Sequence, residues 1–392
     1  MDKIQEILNR GVANIIPNKA ELEKILRSDK KLNIYLGIDP TATKIHLGHA
    51  VPLRKLQAFA ELGHNVIFLI GDFTALIGDT SDKDSERPSL TPEQIEQNFK
   101  DYKRQAEKIL DFSKIQIKHN SEWLEKLTFA EIIKLTQHFS FGDFASRELI
   151  KKRLTDGKHV GLHEALYPVM QGYDSYHMDT DIQIGGTDQT FNMQAGRTLQ
   201  KDLRSKESFV LANAFLTGTD GRKMSKSWGN AIWLDDAPEE MYGKVMSIKD
   251  DLIIEYFTLA TNVSLSEIEK IKQELTGGAN PIELKKRLAY EIVKELNLEQ
   301  DASGAQKMFE NTVQKGELPE EIVEVKFAFE TPLLEIALKE GLVESTSEWK
   351  RLVEQGGVKY NSEKVSNANS VASETNSVLQ IGKRKFVKIV TN

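Results

Sequence analysis

The chain has 392 residues, 40% of them hydrophobic and 28% charged, with 59 acidic against 52 basic side chains and a net charge of −7. That length predicts two or three domains rather than one core, with the composition of a soluble globular protein. Cysteine is absent, which excludes disulfides, thiol nucleophiles and thiolate zinc sites and fits a cytoplasmic setting, while the net acidity leaves any nucleic-acid contact to local basic patches.

The first residues, Met1-Asp2-Lys3-Ile4-Gln5-Glu6, are polar and amphipathic, without the apolar core of a signal peptide. Runs such as Val66-Ile67-Phe68-Leu69-Ile70 fall far short of a membrane span. Residues 33–240 alternate strand and helix patterns, which predicts an α/β domain with a mainly parallel sheet. Asn33 to Ile38 reads as the first buried strand. It runs into Gly37-Ile38-Asp39-Pro40-Thr41-Ala42, either a plain Asp-Pro turn or the strand end where open sheets bind ligands. A helix from about His46 to Leu62, stopped by Gly63, leads to the next strand, Val66 to Ile70.

That helix opens on His46-Leu47-Gly48-His49. Two imidazoles three residues apart share a face beside free backbone amides and the positive end of the helix dipole. They are either polar filling at a helix start or an anion site in which Gly48 lets a flat ligand approach the backbone. No third ligand nearby argues for a metal.

Thr91-Pro92-Glu93-Gln94 supplies an N-cap, a first-turn proline and a capping-box partner, predicting a helix to about Leu110. Tyr167, Gln171 and Asp174 then recur at one helical face beside an apolar stripe of Leu166, Val169, Met170 and Tyr173, and Pro168 requires the helix to start nearby or to kink. The polar face is a water-facing edge or a seat for a small ligand with an amine and a hydroxyl. Ile182-Gln183-Ile184 reads as a strand turning at Gly185-Gly186 into a helix, where Asp188 holds a ribose hydroxyl or caps the helix. Lys223 and Lys226 sit in Gly221-Arg222-Lys223-Met224-Ser225-Lys226-Ser227-Trp228-Gly229. This is a solvated basic loop or a mobile pair of ammonium groups that neutralises polyphosphate charge. The G-x-G-x-x-G fingerprint of an ordinary dinucleotide dehydrogenase is absent.

From Pro238 to Glu310 the pattern is helical, with apolar spacing over Glu267 to Leu275 and Pro281 to Leu296. Residues 311–330 are charged and irregular and read as a linker. The tail predicts two short helices, near Pro332 to Lys339 and Ser347 to Gln355, then Gly356-Gly357 and short strands to Val390. Residues 331–392 hold nine Lys and Arg against seven Asp and Glu, so the tail is the weakly basic part.

Together, His46 to His49 and Lys223 to Ser227 are similar to the ATP-handling signatures of class I aminoacyl-tRNA synthetases. With Tyr35 to Pro40, Leu76-Ile77-Gly78-Asp79, Tyr167 to Asp174 and Gln183 to Gln189, the chain resembles the bacterial-type tyrosyl-tRNA synthetase family over nearly its whole length. The resemblance implies a Rossmann-like parallel-sheet catalytic domain over 1–237, a helical anticodon-binding domain over 238–310, a linker over 311–330 and an α+β RNA-binding module over 331–392 like one in a ribosomal small-subunit protein.

It also implies roles at matching positions. Tyr35 and Asp174 would bind the substrate phenol; Asp79, Tyr167 and Gln171 its ammonium; Gln189 the amino-acid pocket; and Asn120 would support them from behind. Asp39, His46, Gly48, His49, Asp188, Lys223 and Lys226 would handle ATP, which enters with Mg, and Lys83 and Arg87 would lie near the pyrophosphate. His46, His49, Lys223 and Lys226 are the implied catalytic groups, with no resident metal. On the tail, Lys350 and Arg351, with Lys383, Arg384 and Lys385, are candidate contacts to tRNA(Tyr). The implied reaction joins L-tyrosine to ATP and passes the acyl group to tRNA, in a homodimer away from any membrane.

Leu36, Thr80 and Thr190-Phe191 depart from the commonest family pattern, which bears on ribose and pocket-wall contacts. Three other readings stand beside this one: a tryptophanyl-tRNA synthetase, a nucleotidyltransferase with a similar His-x-Gly-His site, and an inactive RNA-binding relative. The phenol-suited pair with the RNA-binding tail, the second lysine motif and the intact signatures weigh against them in turn.

Overall fold

The computed structural model describes residues 2–79, 90–225, 228–315, 318, 322–382 and 385–391. They form two compact units, Met1–Asp236 with Ser247–Leu288, and Ala237–Met246 with Ala289–Asn392. The first is built on six strands: β1 (Val12–Ile16), β2 (Asn33–Ile38), β3 (Asn65–Ile70), β4 (Ile115–His119), β5 (Ile182–Gly186) and β6 (Phe209–Asn213). Their order is β1-β6-β5-β2-β3-β4. All neighbours are parallel except β1, which pairs antiparallel with β6. The sheet is therefore mixed. Nothing in the sequence pattern marks β1, because only Ile15 of its five residues is buried and an edge strand needs no continuous apolar run.

Ile34, Phe68, Ile70 and Ile182 are fully buried, as expected for strands covered on both faces. From β2 the chain adds β3 and β4 on one side and then returns to add β5 and β6 on the other. β2 and β5 are thus adjacent parallel strands at a topological switch point, where a crevice opens beyond their carboxyl ends.

The helix Leu47–Glu61 has His46 at its N-cap and buries Leu47, Leu53, Leu56 and Phe59 completely. Gly63, at φ +83°, ends it in a conformation that favours glycine. The helix Pro92–Ala106 carries the expected capping box, but its end gives way to tighter three-residue bonds, from Lys108 N–H to Gln105 O and from Ile109 N–H to Ala106 O, short of Leu110. The helix Leu162–His177 runs through Pro168 and begins six residues before it. Its start is fixed by Glu164, which accepts from the Gly161 N–H at 2.8 Å and pairs with buried Arg153 at 2.7 Å.

In the second unit the helix Pro238–Met246 packs on Glu299–Phe309, with the Tyr242 and Phe309 rings 5.5 Å apart. The same unit holds a sheet of β7 (Glu324–Phe327), β8 (Val358–Tyr360), β9 (Glu363–Lys364), β10 (Ser377–Ile381) and β11 (Lys385–Thr391), in the order β7-β11-β10-β8-β9. β7 is parallel to β11 and the other pairs are antiparallel. β7 falls inside the charged stretch that reads as a linker; Val325 and Phe327 point inward while Glu324 and Lys326 face out, a two-residue period hidden among charges. The helices Leu333–Lys339 and Thr346–Glu354 close this core with Leu333, Ile336 and Trp349. Among the described residues no helix is long and apolar enough to cross a membrane.

Candidate active site

The crevice at the β2/β5 switch point holds a cavity of about 290 Å³. Its walls include Tyr35 and Asp39 from β2 and its exit, His49 from the following helix, Asp79 after the helix Asp72–Ile77, Tyr167, Gln171 and Asp174 from Leu162–His177, and Asp188 and Gln189 after β5. Residues from five separate stretches thus line one cavity.

The inner end is polar and closed. Asp174 is 2% exposed; its Oδ1 accepts from Trp123 Nε1–H at 2.8 Å and its Oδ2 from Asn120 Nδ2–H at 3.1 Å. Burial pushes its carboxyl up to about 8, against the pull of those two donors. The Tyr35 hydroxyl donates to Gln183 Oε1 at 3.1 Å, and burial, then the nearby Asp174 charge, holds this phenol well above its ordinary range. Gln183 is itself satisfied, its amide donating to Met193 O at 2.9 Å. This end therefore offers a neutral hydroxyl and a carboxyl on a buried wall, each with hydrogen-bonding capacity beyond the bonds it already makes, which a ligand hydroxyl can use and a hydrocarbon cannot.

The middle of the cavity gathers acceptors suited to an ammonium group. Tyr167 donates to Asp39 Oδ2 at 2.9 Å, and Thr74 Oγ1–H to Asp39 Oδ1 at 2.8 Å. Gln189 Nε2–H donates to Asp79 Oδ2 at 2.7 Å and accepts from Asn192 at 3.1 Å. Gln171 lines this part. A Cβ on Gly71 would sit 2.1 Å from Asp39 Oδ1, so only glycine lets the end of β3 approach so near.

The two histidines separate. His49 lines the cavity, whereas His46 is buried behind it, ring on ring at 3.8 Å, and tilts against Trp233. Burial and then the neighbouring His49 drive the His46 imidazole down to about 2, so it is neutral at working pH, and its Nδ1 is buried with no hydrogen-bond partner among the described residues. A Cβ on Gly48 would lie 3.0 Å from this ring, which accounts for the glycine between them. On the far rim Lys223 Nζ lies 3.5 Å from Asp188 Oδ2 and over the Phe215 ring at 4.1 Å. Lys226, Lys83, Arg87, Lys383 and Arg384, with Thr80, lie outside the described residues.

On the tail Lys350 and Arg351 are exposed on one helix, while Lys385 Nζ–H donates to Leu342 O at 2.8 Å. Among the departures from the family pattern, Leu36 is buried in β2 and Phe191 stacks under the Arg147 guanidinium at 4.6 Å.

Several residues without a sequence signal complete the site. Lys44 lines the cavity mouth, Thr74 links Asn120 to Asp39, and Asn230 anchors the lysine loop. Asn230 is 2% exposed; it accepts from Ser225 N–H at 2.9 Å and donates to Asp220 at 2.7 Å and to Lys223 O at 3.2 Å. Their partners become visible only in three dimensions.

The family described as tRNA synthetases class I (W and Y) matches residues 27–314. The chain is 44% identical to tyrosine–tRNA ligase 2 of Vibrio cholerae over 97% of both chains. It is also 44% identical to the tyrosine–tRNA ligase of Mannheimia succiniciproducens, again over 97% of each. Among solved structures, a C-terminally truncated mitochondrial tyrosyl-tRNA synthetase of Aspergillus nidulans matches 78% of this chain and 92% of its own at TM-score 0.66 and 23% identity. The Archaeoglobus fulgidus tyrosyl-tRNA synthetase complexed with L-tyrosine matches 78% of this chain and 100% of its own at TM-score 0.61 and 22% identity; these two likenesses concern the fold.

Proposed function

The chain belongs to the class I tRNA synthetase family, among its tyrosine–tRNA ligases, and we propose that its cavity carries out tyrosine activation with the residues described above. Its reaction joins L-tyrosine to ATP as tyrosyl-adenylate and then transfers the acyl group to tRNA(Tyr), releasing AMP and pyrophosphate. The observation that carries the substrate assignment is the buried Tyr35–Asp174 end, where a phenol hydroxyl meets remaining hydrogen-bonding capacity that the bare ring of phenylalanine would not use.

The substrate ammonium would meet Asp79, Tyr167 and Gln171, with Gln189 fixing Asp79, and the ribose would meet Asp188. Asp39, Gly48 and His49 would border the nucleotide. The tyrosine carboxylate attacks the α-phosphate of ATP, which enters as its Mg complex, so no protein nucleophile is needed. Catalysis then rests on alignment and on stabilising charge that builds on the phosphates. Lys223 beside Asp188 and Lys226 on the same loop are suited to that task, with His49 facing the cavity and His46 stacked behind it. Lys83 and Arg87 would face the departing pyrophosphate.

The five-stranded module is proposed to bind tRNA through Lys350 and Arg351, with Lys383, Arg384 and Lys385, and the helical segment before it to read the anticodon. A homodimer is supported by exposed apolar side chains in the first unit, with Phe141 65% and Leu162 76% exposed at a cavity of about 370 Å³ and Phe129 78% exposed elsewhere in the unit.

The deciding experiment is amino-acid-dependent exchange of pyrophosphate into ATP, run with each amino acid in turn. Exchange should appear with tyrosine and stay at background with phenylalanine and tryptophan; tryptophan-dependent exchange, or none at all, would defeat the assignment.

A further inference from the structure

Behind the phenol-binding end, a second carboxylate gathers four hydrogen-bonding groups. Asp72 opens the short helix after β3. Its Oδ1 accepts from the N–H groups of Ser121 and Phe73, each at 2.9 Å. Its Oδ2 accepts from Ser121 Oγ–H at 2.8 Å and lies 3.0 Å from His119 Nδ1. These contacts grip the residues on either side of Asn120. Asn120 in turn bonds through its N–H to Ile70 O at 3.0 Å and accepts on Oδ1 from Phe73 N–H at 3.0 Å. Its amide donates to Thr74 at 3.0 Å and to Asp174 at 3.1 Å. Asn120 is 1% exposed, so it has no water to replace a lost protein partner.

We infer that Asp72 is a positioning residue for tyrosine recognition: by clamping the turn His119–Ser121 to the end of β3, it fixes the Asn120 amide that holds Asp174 toward the substrate phenol. The inference rests on the tyrosine reading of the cavity. A carboxylate suits the task because hydrogen bonds to an ionised acceptor are shorter and stronger than neutral ones. Burial by itself would raise the Asp72 carboxyl, but the bonds from His119 and Ser121 outweigh it and hold the group below its ordinary value. Without this clamp Asn120 would have room to turn and Asp174 would lose one of two donors. The lysine loop and His49 make none of these bonds, and the clamp reaches the nucleotide side only at one remove, from Asn120 through Thr74 to Asp39, so its effect falls mainly on tyrosine.

The test compares Asp72→Ala and Asp72→Asn with the unsubstituted full-length chain in tyrosine-dependent pyrophosphate exchange. Asp72→Ala should raise KM for tyrosine about tenfold, narrow the tyrosine-over-phenylalanine preference by a similar factor, and leave KM for ATP within about twofold. Asp72→Asn should stay within about threefold of the unsubstituted chain, because its oxygen still accepts the two N–H groups and its amide can donate to the other tautomer of His119. If Asp72→Ala does not fold, His119→Leu, which removes one of the contacts, should raise KM for tyrosine about threefold with KM for ATP unmoved. A purely structural Asp72 would lower the thermal midpoint with no split between the two KM values, and that result, or an Asn variant no better than Ala, overturns the inference. No tyrosine-dependent exchange by the unsubstituted chain would overturn the proposed function and this inference together; normal exchange with Asp72→Ala unmoved would overturn the inference alone.

Discussion

Asp174 sets the sharpest electrostatic condition in the cavity. Burial raises its carboxyl from 3.8 to about 8, with Asn120 and Trp123 pulling the other way, so at pH 7 the empty site favours the protonated form. A bound tyrosine phenol adds a donor, which favours the ionised form and lowers the pKa. Tyrosine binding at pH 7 is therefore expected to release protons, seen as a binding enthalpy that changes between buffers of different ionisation heat; equal heats would count against this role. The stability sign follows from the same shift. A carboxyl raised in the folded state favours folding most below 3.8, and that contribution is lost as pH climbs toward 8. The thermal midpoint should accordingly fall less over that window in Asp174→Ala, which should also lose most tyrosine activation and shrink the tyrosine-over-phenylalanine preference about tenfold or more. At this scale the sequence is legible where chemistry is written in consecutive residues, as in His46 to His49. It is silent on Asp72, Thr74 and Asn120 as a connected brace, because that brace joins β3, β4 and a helix that meet only after the sheet has formed.

Among the elements, the lysine loop depends on an anchor outside its own motif. Asn230 binds Ser225 N–H, Asp220 and Lys223 O from a buried position, and a Cβ on Gly218 would come within 2.4 Å of its side chain. Asn230 thus ties the loop beside its other bonds, from Gly218 N–H to Arg222 O and from Met224 N–H to Leu216 O, and such an anchored loop is suited to hold a lysine toward a charge appearing only during reaction. Asn230→Ala should slow adenylate formation about tenfold or more while KM for tyrosine changes little, since the loop is remote from the phenol end. Pre-steady-state kinetics separates the two, and an unchanged rate would mean the anchor is dispensable. Lys226→Ala should act on the same step. Element reading from sequence succeeded for β2, β3 and the helix after His46 because apolar runs and end signals agree there. It named no strand at β4 or β6, and it missed β1, an edge strand with a single buried residue, and β7, whose two inward residues sit between charges.

For the molecule as a whole, β7 changes where the tail can be cut. Because it pairs with β11, removal of residues 331–392 alone would strand Val325 and Phe327, now 7% and 6% exposed, and expose an unpaired strand edge. A cut that removes residues 316–392 takes the whole five-stranded sheet instead. All residues proposed to bind tyrosine or ATP lie before Trp228, so this shortened chain should keep tyrosine-dependent pyrophosphate exchange within about twofold, whereas aminoacylation of tRNA should fall by about tenfold or more. The deficit should have an electrostatic signature. Exposed Lys350 and Arg351 sit on a tail that is weakly basic while the chain carries −7 overall, so phosphate contacts there release counterions, and the full-length chain should lose charging more steeply with salt than the shortened one. Both reactions are to be measured on both chains across a salt series, with circular dichroism showing that the shortened chain is folded. Equal loss of exchange and charging would make the tail a structural support, and charging retained in full would leave the five-stranded sheet without a role in tRNA binding.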